Sequence, residues 1–225
     1  MVFRDPSNLD TTSHRAHASL GRNLYRRFGK RVFDLGLAIA IAPLVLPVVG
    51  VLILLVRRDG AAGLFGHTRV GQNGKTFRCF KIRSMVPDAE AKLEAYLDAH
   101  PEARIEWERD VKLTNDPRIT KLGAFLRKSS LDELPQLLNV FSGAMSFVGP
   151  RPVPAKELER YGTAKSVYCS VRPGITGLWQ VSGRNDVSYA ERVDMDRDYA
   201  ADHSFAMDLS ILMRTAGAVL NTTGK

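Results

Sequence analysis

Cysteine is scarce in this sequence: Cys79 and Cys169 are the only two, far apart and in no paired spacing. That excludes a disulfide framework and a zinc site built on cysteine pairs; two reduced thiols are expected. The five histidines form no HExxH and no cluster with cysteine, so no structural metal site is expected. Aromatic residues make up 8% and do not alternate with the basic runs, as the stacking platforms of strand-binding proteins do. No nucleic-acid motif is present, and nucleic acid is not an expected partner. There is no internal repeat. Acid is also short, with 24 Asp and Glu against 32 Lys and Arg, a net charge of +8. An anionic lipid surface or a phosphorylated substrate fits that balance. At 225 residues and 44% hydrophobic, the chain can form one domain with a core plus a membrane element.

Residues 1–29 are polar, with Asn8, Thr11, Thr12, Ser13, His14 and Arg15 close together, and read as a loose, basic-ended tail. The tail is not a secretory signal, because the apolar run starts late and no small-residue cleavage site follows. Phe33–Val56 (FDLGLAIAIAPLVLPVVGVLILLV) contains sixteen Val, Ile, Leu or Phe residues and a single charge, Asp34. Such a helix reaches about 36 Å, against a hydrocarbon core of about 30 Å. Its insertion gains at most about 5–10 kcal/mol before costs. A buried core helix rarely runs so long without a polar residue.

Two features favour re-entry over a straight span. Pro43 and Pro47 sit mid-segment one turn apart, and each removes a backbone donor and crowds the preceding turn. Both flanks are basic: Arg22, Arg26, Arg27, Lys30 and Arg31 before, and Arg57, Arg58, Arg69, Lys75, Arg78, Lys81 and Arg83 after, against Asp59 alone. The positive-inside rule puts both flanks on the cytoplasmic side. A kinked spanning helix is the competing reading.

From residue 59 the pattern is that of a compact soluble domain. Lys75–Phe80 reads as a short strand after a Gly-rich turn. Asp88–His100 and Glu102–Leu113 read as amphipathic helices separated at Pro101, the first with Leu93, Tyr96 and Leu97 on one face. Further helices are expected at Thr120–Lys128, Leu134–Phe141, Ser188–Ala200 and Ser204–Leu220. In the last, the stripe Phe205, Leu209, Leu212, Ala216 and Leu220 is expected to face the core, with a membrane-surface helix as the other use. Gly149–Pro154 and Arg172–Gly177 read as loops.

The chemistry-bearing segment is SSLDELPQL, residues 129–137. Ser130 and Glu133 have the spacing of a capping box. Pro135 disturbs that reading, because with Ser130 as cap it falls where an intrahelical donor is needed. With Asp132 as cap it falls third, where none is. Asp132 would then sit at the positive end of a helix, with a lowered pKa, able as a carboxylate to attack phosphorus. Glu133, pointing about 100° away, could hold a divalent cation. Both readings, cap and nucleophile, stand on spacing alone. Arg127 and Lys128 precede the pair, and the loop GPRP holds Arg151, whose guanidinium suits a phosphate. Lys81 and Arg83 alternate on the strand KIRSM and would share a face. GQNGKT, residues 71–76, ends like a P-loop, but the first glycine position is Arg69, which excludes it.

Taken together, KRVFD (30–34), RVGQNGKTFRCFKIRSM (69–85), DPRITKLGAFLRKSSLDELPQLLNVFSGAMSFVGPRP (116–152) and RPGITGLWQVSGRN (172–185) closely resemble the bacterial sugar transferase family, the monotopic phosphoglycosyl transferases. The likeness spans roughly residues 30–220. It implies an α+β, mainly helical fold: a monotopic membrane protein with a re-entrant helix–break–helix at 30–58 and a compact cytoplasmic catalytic domain at 59–225. It implies transfer of a hexose-1-phosphate, galactose or glucose by similarity to exopolysaccharide-priming members, from a UDP-sugar to undecaprenyl phosphate with release of UMP. Asp132 would carry the phosphosugar covalently and Glu133 would bind Mg²⁺. Arg127 and Arg151 would hold phosphate, Lys81 and Arg83 would form the basic strand, and Arg184 and Asn185 would face the nucleotide. Membrane lipids would be partners at the cytoplasmic face of the inner membrane, and the resemblance allows a homo-oligomer.

This chain departs from the family pattern at Ala42-Pro43, where many members have Ser-Pro, so that Pro47 would share the bend. It also departs at AAGLF (61–65), in place of a Gly-Pro turn, and in a longer 88–113 segment. Long members carry further membrane helices before this block; here the preceding residues are polar. A non-catalytic membrane-bound scaffold is the rival class.

Overall fold

The computed structural model describes residues 23–110, 112–183 and 187–220. A π-helical turn, Tyr25–Gly29, runs into helix α1, Lys30–Val56, so the last residues assigned to the tail are helical. A 3-10 turn, Arg57–Asp59, ends in Gly60 at φ 84°, a left-handed position suited to glycine. Strands β1, Leu64–Val70, and β2, Thr76–Ile82, form an antiparallel hairpin. Its turn carries Asn73 and Gly74 at positive φ, the conformation that Asn-Gly supplies at low cost. Helices α2, Ala89–Ala99, and α3, Pro101–Asp110, pack on each other through Leu93, Leu97 and Ala103.

Helix α4, Lys121–Lys128, is capped by Thr120, whose hydroxyl accepts from the Gly123 N–H. Helix α5, Gln136–Ser142, ends in the left-handed Gly143. The short strands β3, Ser146–Val148, and β4, Gly174–Thr176, pair in parallel. Both stretches expected as loops thus flank or contain this pair. Helix α6, Tyr189–Asp202, opens on a capping box formed by Ser188 and Glu191, and helix α7, Phe205–Leu220, follows. The described residues are mainly helical, with two two-stranded sheets.

The main core gathers Ala38, Cys79, Leu137, Val140, Met145, Phe147, Val148, Tyr199 and Ile211, from α1, β2, α5, β3, α6 and α7. Asn139 takes the place of a third strand beside β2: its amide donates to Arg78 O (2.8 Å) and accepts from the Phe80 N–H (3.0 Å). The exposed edge of the hairpin is thereby satisfied from a helix.

Helix α1 is long and apolar enough to cross a membrane, and 11% of its most apolar stretch is buried, which separates it from a core helix. Both of its ends are fixed to the rest of the protein. Near the start, Lys30 donates to Asp208 Oδ2 (2.6 Å), Arg31 donates to Val140 O (2.6 Å) and Phe141 O (2.9 Å), and Asp34 accepts from Ser146 Oγ (2.9 Å) and the Phe147 N–H (3.1 Å). Near the end, Leu52, Ile53, Leu55 and Val56 pack with Ile82, Leu126, Leu122 and Leu131. Between the ends, Ile39, Leu44, Leu46, Val48, Val51 and Leu54 are exposed.

Helical structure continues through Pro43 and Pro47 without interruption. The expected break is therefore absent as a gap in the helix, since a proline removes one bond and leaves its neighbours able to carry the turn. The stripe expected to face the core in α7 is corrected in part: Leu212 packs on the main core, but Phe205, Leu209 and Ala216 are exposed, the side chain of Leu220 lies outside the described residues, and Asp208 and Ile211 are fully buried. The buried side of α7 is set by Asp208, which accepts from Tyr25 (2.6 Å), Lys30 (2.6 Å) and Tyr199 (2.7 Å).

Candidate active site

The hairpin register decides which residues face one another. Arg69 lies opposite Phe77, and Phe65 opposite Lys81. Alternation along each strand then puts Arg69, Phe77, Cys79 and Lys81 on one face. A cleft opens over that face, lined by Arg69, Cys79, Lys81, Glu133, Gln136, Arg151, Pro152 and Ile175. Three cations thus meet one lining carboxylate.

Asp132 and Glu133 occupy a single 3-10 turn, Leu131–Glu133, between α4 and α5. Ser130 enters that turn in the left-handed conformation (φ 57°) with no side-chain cap bond, and Pro135 itself starts α5. Neither capping arrangement expected from spacing is formed. The carboxylates turn toward Lys81 instead, whose Nζ is 2.6 Å from Glu133 Oε1 and 3.8 Å from Asp132 Oδ2. Arg151 reaches within 4.0 Å of Glu133 Oε1.

The two acids are driven apart electrostatically. Burial acts to raise the Glu133 carboxyl, but Lys81, Arg151 and Arg69 together outweigh it and hold it below the usual range. Burial dominates at Asp132, helped by the negative Glu133 and opposed by Lys81 and Arg127, so its carboxyl lies above the usual range. The lowered value expected from a helix terminus is overturned, because a one-turn entry leaves desolvation as the larger effect. Asp132 is nearly enclosed, with 10% of its side chain exposed.

The other expected residues divide. Arg127 stands close enough to act on Asp132 and is oriented by donating from Nε to Ser84 Oγ (2.8 Å). Gly123 brings α4 against the end of β2 so tightly that a Cβ there would lie 1.9 Å from Ser84 O. Arg83 does not share the face of Lys81. It follows the end of β2 and is spent on Asp59 (2.6 and 2.8 Å), Ala62 O, Met85 O and Val56 O, where it ties the end of α1 to the hairpin. Arg184 and Asn185 lie outside the described residues. Among the described residues no group of three or more His, Cys, Asp or Glu could hold a metal ion. One carboxylate held ionised, as Glu133 is, nonetheless suits Mg²⁺, which commonly takes one or two protein carboxylates, waters and substrate phosphates.

Arg69, Gln136 and Tyr168 escaped the sequence reading. Tyr168 ties the two arginine-bearing segments together: its hydroxyl is 3.0 Å from Val70 O and 3.3 Å from Arg151 O, and it accepts from the Val153 N–H at 3.2 Å. The Asn-Gly turn was the available signal for Arg69, since it fixes the register that brings position 69 beside Cys79.

A mainly helical body with a long apolar helix, and a cleft where two arginines and a lysine face the Glu133 carboxylate with Asp132 enclosed beside it, suits a membrane-associated enzyme acting on phosphate esters. The chain belongs to the bacterial sugar transferase family, whose model matches residues 25–222. It is 54% identical over 198 residues to a UDP-galactose-lipid carrier transferase of Erwinia amylovora, covering 88% of this chain and 42% of that protein. It is 50% identical over 198 residues to an undecaprenyl-phosphate galactose phosphotransferase of Salmonella typhimurium, with the same two coverages. It is 48% identical over 199 residues to the exopolysaccharide production protein ExoY of Sinorhizobium fredii, covering 87% of each. The chain thus spans less than half of the first two relatives and most of the third.

Proposed function

We propose that this protein is a phosphoglycosyl transferase that moves a hexose-1-phosphate, galactose or glucose, from a UDP-sugar to undecaprenyl phosphate, the first step of exopolysaccharide repeat-unit assembly. The observation that carries this reading is the Asp132–Glu133 pair held by Lys81 and Arg151 at a cationic cleft. The names of the relatives support the donor and acceptor classes.

In this mechanism an Asp132 carboxylate oxygen attacks the sugar-bearing phosphorus. The bond from that phosphorus to the bridging oxygen breaks, and UMP leaves with the electron pair. A phosphate oxygen of the acceptor then attacks the same phosphorus, the bond to Asp132 breaks, and the carboxylate is restored. Lys81 and Arg151 offset charge on the phosphoryl oxygens. Glu133 would hold Mg²⁺, which when bound neutralises diphosphate charge.

Re-entry of α1 from the cytoplasmic face of the inner membrane belongs to the same reading. It is supported by the packing of both helix ends on one body, which a straight span to the far leaflet would not allow. The acceptor phosphate lies at the interface while the donor is cytosolic, and a shallow anchor lets one cleft meet both.

Asp132→Ala should abolish transfer of radiolabelled sugar phosphate and UMP release in membranes supplied with polyprenyl phosphate, while the protein stays membrane-bound. Activity within about tenfold of wild type would remove Asp132 as the nucleophile. Wild-type protein inactive with every UDP-sugar tried would favour the scaffold reading instead.

A further inference from the structure

One cation of the cleft has no task in that scheme. Arg69 is half-buried on β1 and lines the cleft beside Glu133 and Arg151. Its guanidinium makes no hydrogen bond and no ion pair within 4 Å among the described residues, although Glu157 lies near enough to act on it at longer range. Arg83 and Arg118, by contrast, are each paired with an aspartate, and Arg127 and Arg31 with oxygen acceptors. An arginine withdrawn from water without a partner is costly unless an anion completes it. Burial, and then the neighbouring Arg151, hold Arg69 below its ordinary value, so the two guanidinium groups feel each other.

The backbone fixes this adjacency. The Val70 N–H donates to Val153 O at 2.9 Å, and Tyr168 joins Val70 O to the Arg151–Val153 segment. Two like charges are thereby held side by side, and the one carboxylate lining the cleft, Glu133, is hydrogen-bonded to Lys81 (2.6 Å) and stands 4.0 Å from Arg151. Paired guanidinium groups in fixed positions suit a phosphoryl group, whose oxygens accept several charge-assisted bonds at once.

We propose that Arg69 and Arg151 form a two-arginine clamp for a substrate phosphoryl group, with Tyr168 as the positioning residue that sets their spacing. This rests on the transferase reading above and adds Arg69 to its substrate contacts. The phosphoryl group belongs either to the donor diphosphate or to the acceptor phosphate. A double-displacement enzyme separates the two, because kcat/KM for each substrate reports its own half-reaction.

The test is steady-state transfer by purified protein in lipid nanodiscs, with UDP-galactose or UDP-glucose and undecaprenyl phosphate varied in turn, for wild type, Arg69→Ala, Arg69→Lys and Tyr168→Phe. Arg69→Ala should lower kcat/KM for one substrate by about 10- to 100-fold, and Arg69→Lys should recover part of the loss by restoring charge without the fork. Tyr168→Phe should move the same parameter by a smaller factor. Loss with the donor assigns the clamp to the diphosphate, and loss with the acceptor assigns it to the lipid phosphate. If Arg69→Ala does not fold, Arg69→Lys carries the comparison, because replacing a bidentate fork by a point charge should still lower one kcat/KM by about fivefold or more. Active wild type with both kcat/KM values unchanged within about twofold in the folded variants would overturn the clamp and leave the transferase standing. Wild type inactive with both sugars would overturn the transferase reading and the clamp with it.

Discussion

Lys81 and Arg83 are two residues apart and do different work. Lys81 stands against both Asp132 and Glu133, whereas Arg83 holds the end of α1 against the hairpin through Asp59 and three carbonyls. Alternation along a strand predicts a shared face for such a pair. The prediction fails because β2 ends at Ile82, and beyond a strand's end the period no longer binds. Arg83→Ala should therefore lower the unfolding midpoint in detergent and leave the KM for UDP-sugar within about twofold of wild type. A large rise in KM with unchanged stability would return Arg83 to the substrate site.

At the scale of elements, the second core cluster supports the clamp from behind. Val70, Val153, Leu158, Tyr161, Ala164 and Tyr168 pack beneath α6. Asp196 of α6 is buried among them, accepts from Tyr161 OH at 2.8 Å, and leaves its other oxygen unpartnered. Burial pushes its carboxyl up to about 7, against the pull of the Tyr161 hydrogen bond. In the unfolded chain the same group titrates near pH 3.9. The folded state therefore keeps its proton where the unfolded chain has lost it. This group's contribution to stability is complete below about pH 4, declines as pH rises to about 7, and is level above that. Unfolding measured across this window should show a steeper decline in wild type than in Asp196→Asn. Parallel curves for the two proteins would contradict the buried carboxyl. The helix α6 was legible in the sequence from its Ser188 start, but the partner of Asp196 was not, because Tyr161 lies in a short 3-10 segment, Glu159–Ala164, kinked at Gly162 and too short to show a period.

At the scale of the molecule, α1 is fastened at both ends to the rest of the protein. Several basic residues that give the flanks their charge have internal partners, Lys30 on Asp208, Arg31 on α5 carbonyls and Arg83 on Asp59. The positive-inside count is thus carried by fewer exposed charges than the sequence suggests, among them Arg57 and Arg58. Tags on either end should be reachable only from the cytosolic side of inverted membrane vesicles, and detergent rather than high salt should release the protein. An N-terminal tag accessible from the periplasm would rule out re-entry.

The sequence by itself determined the apolar 24-residue run, the adjacent Asp132 and Glu133, the phosphate-suited basic residues and most helices, because each is a local pattern of hydrophobicity, charge or turn chemistry. Only the tertiary structure decided that Arg69 enters the cleft, that Arg83 leaves it, that Asp132 is enclosed with a raised pKa, and that α7 turns Asp208 inward. These depend on hairpin register and on which distant side chains exclude water, and desolvation is a property of the packed whole rather than of any segment.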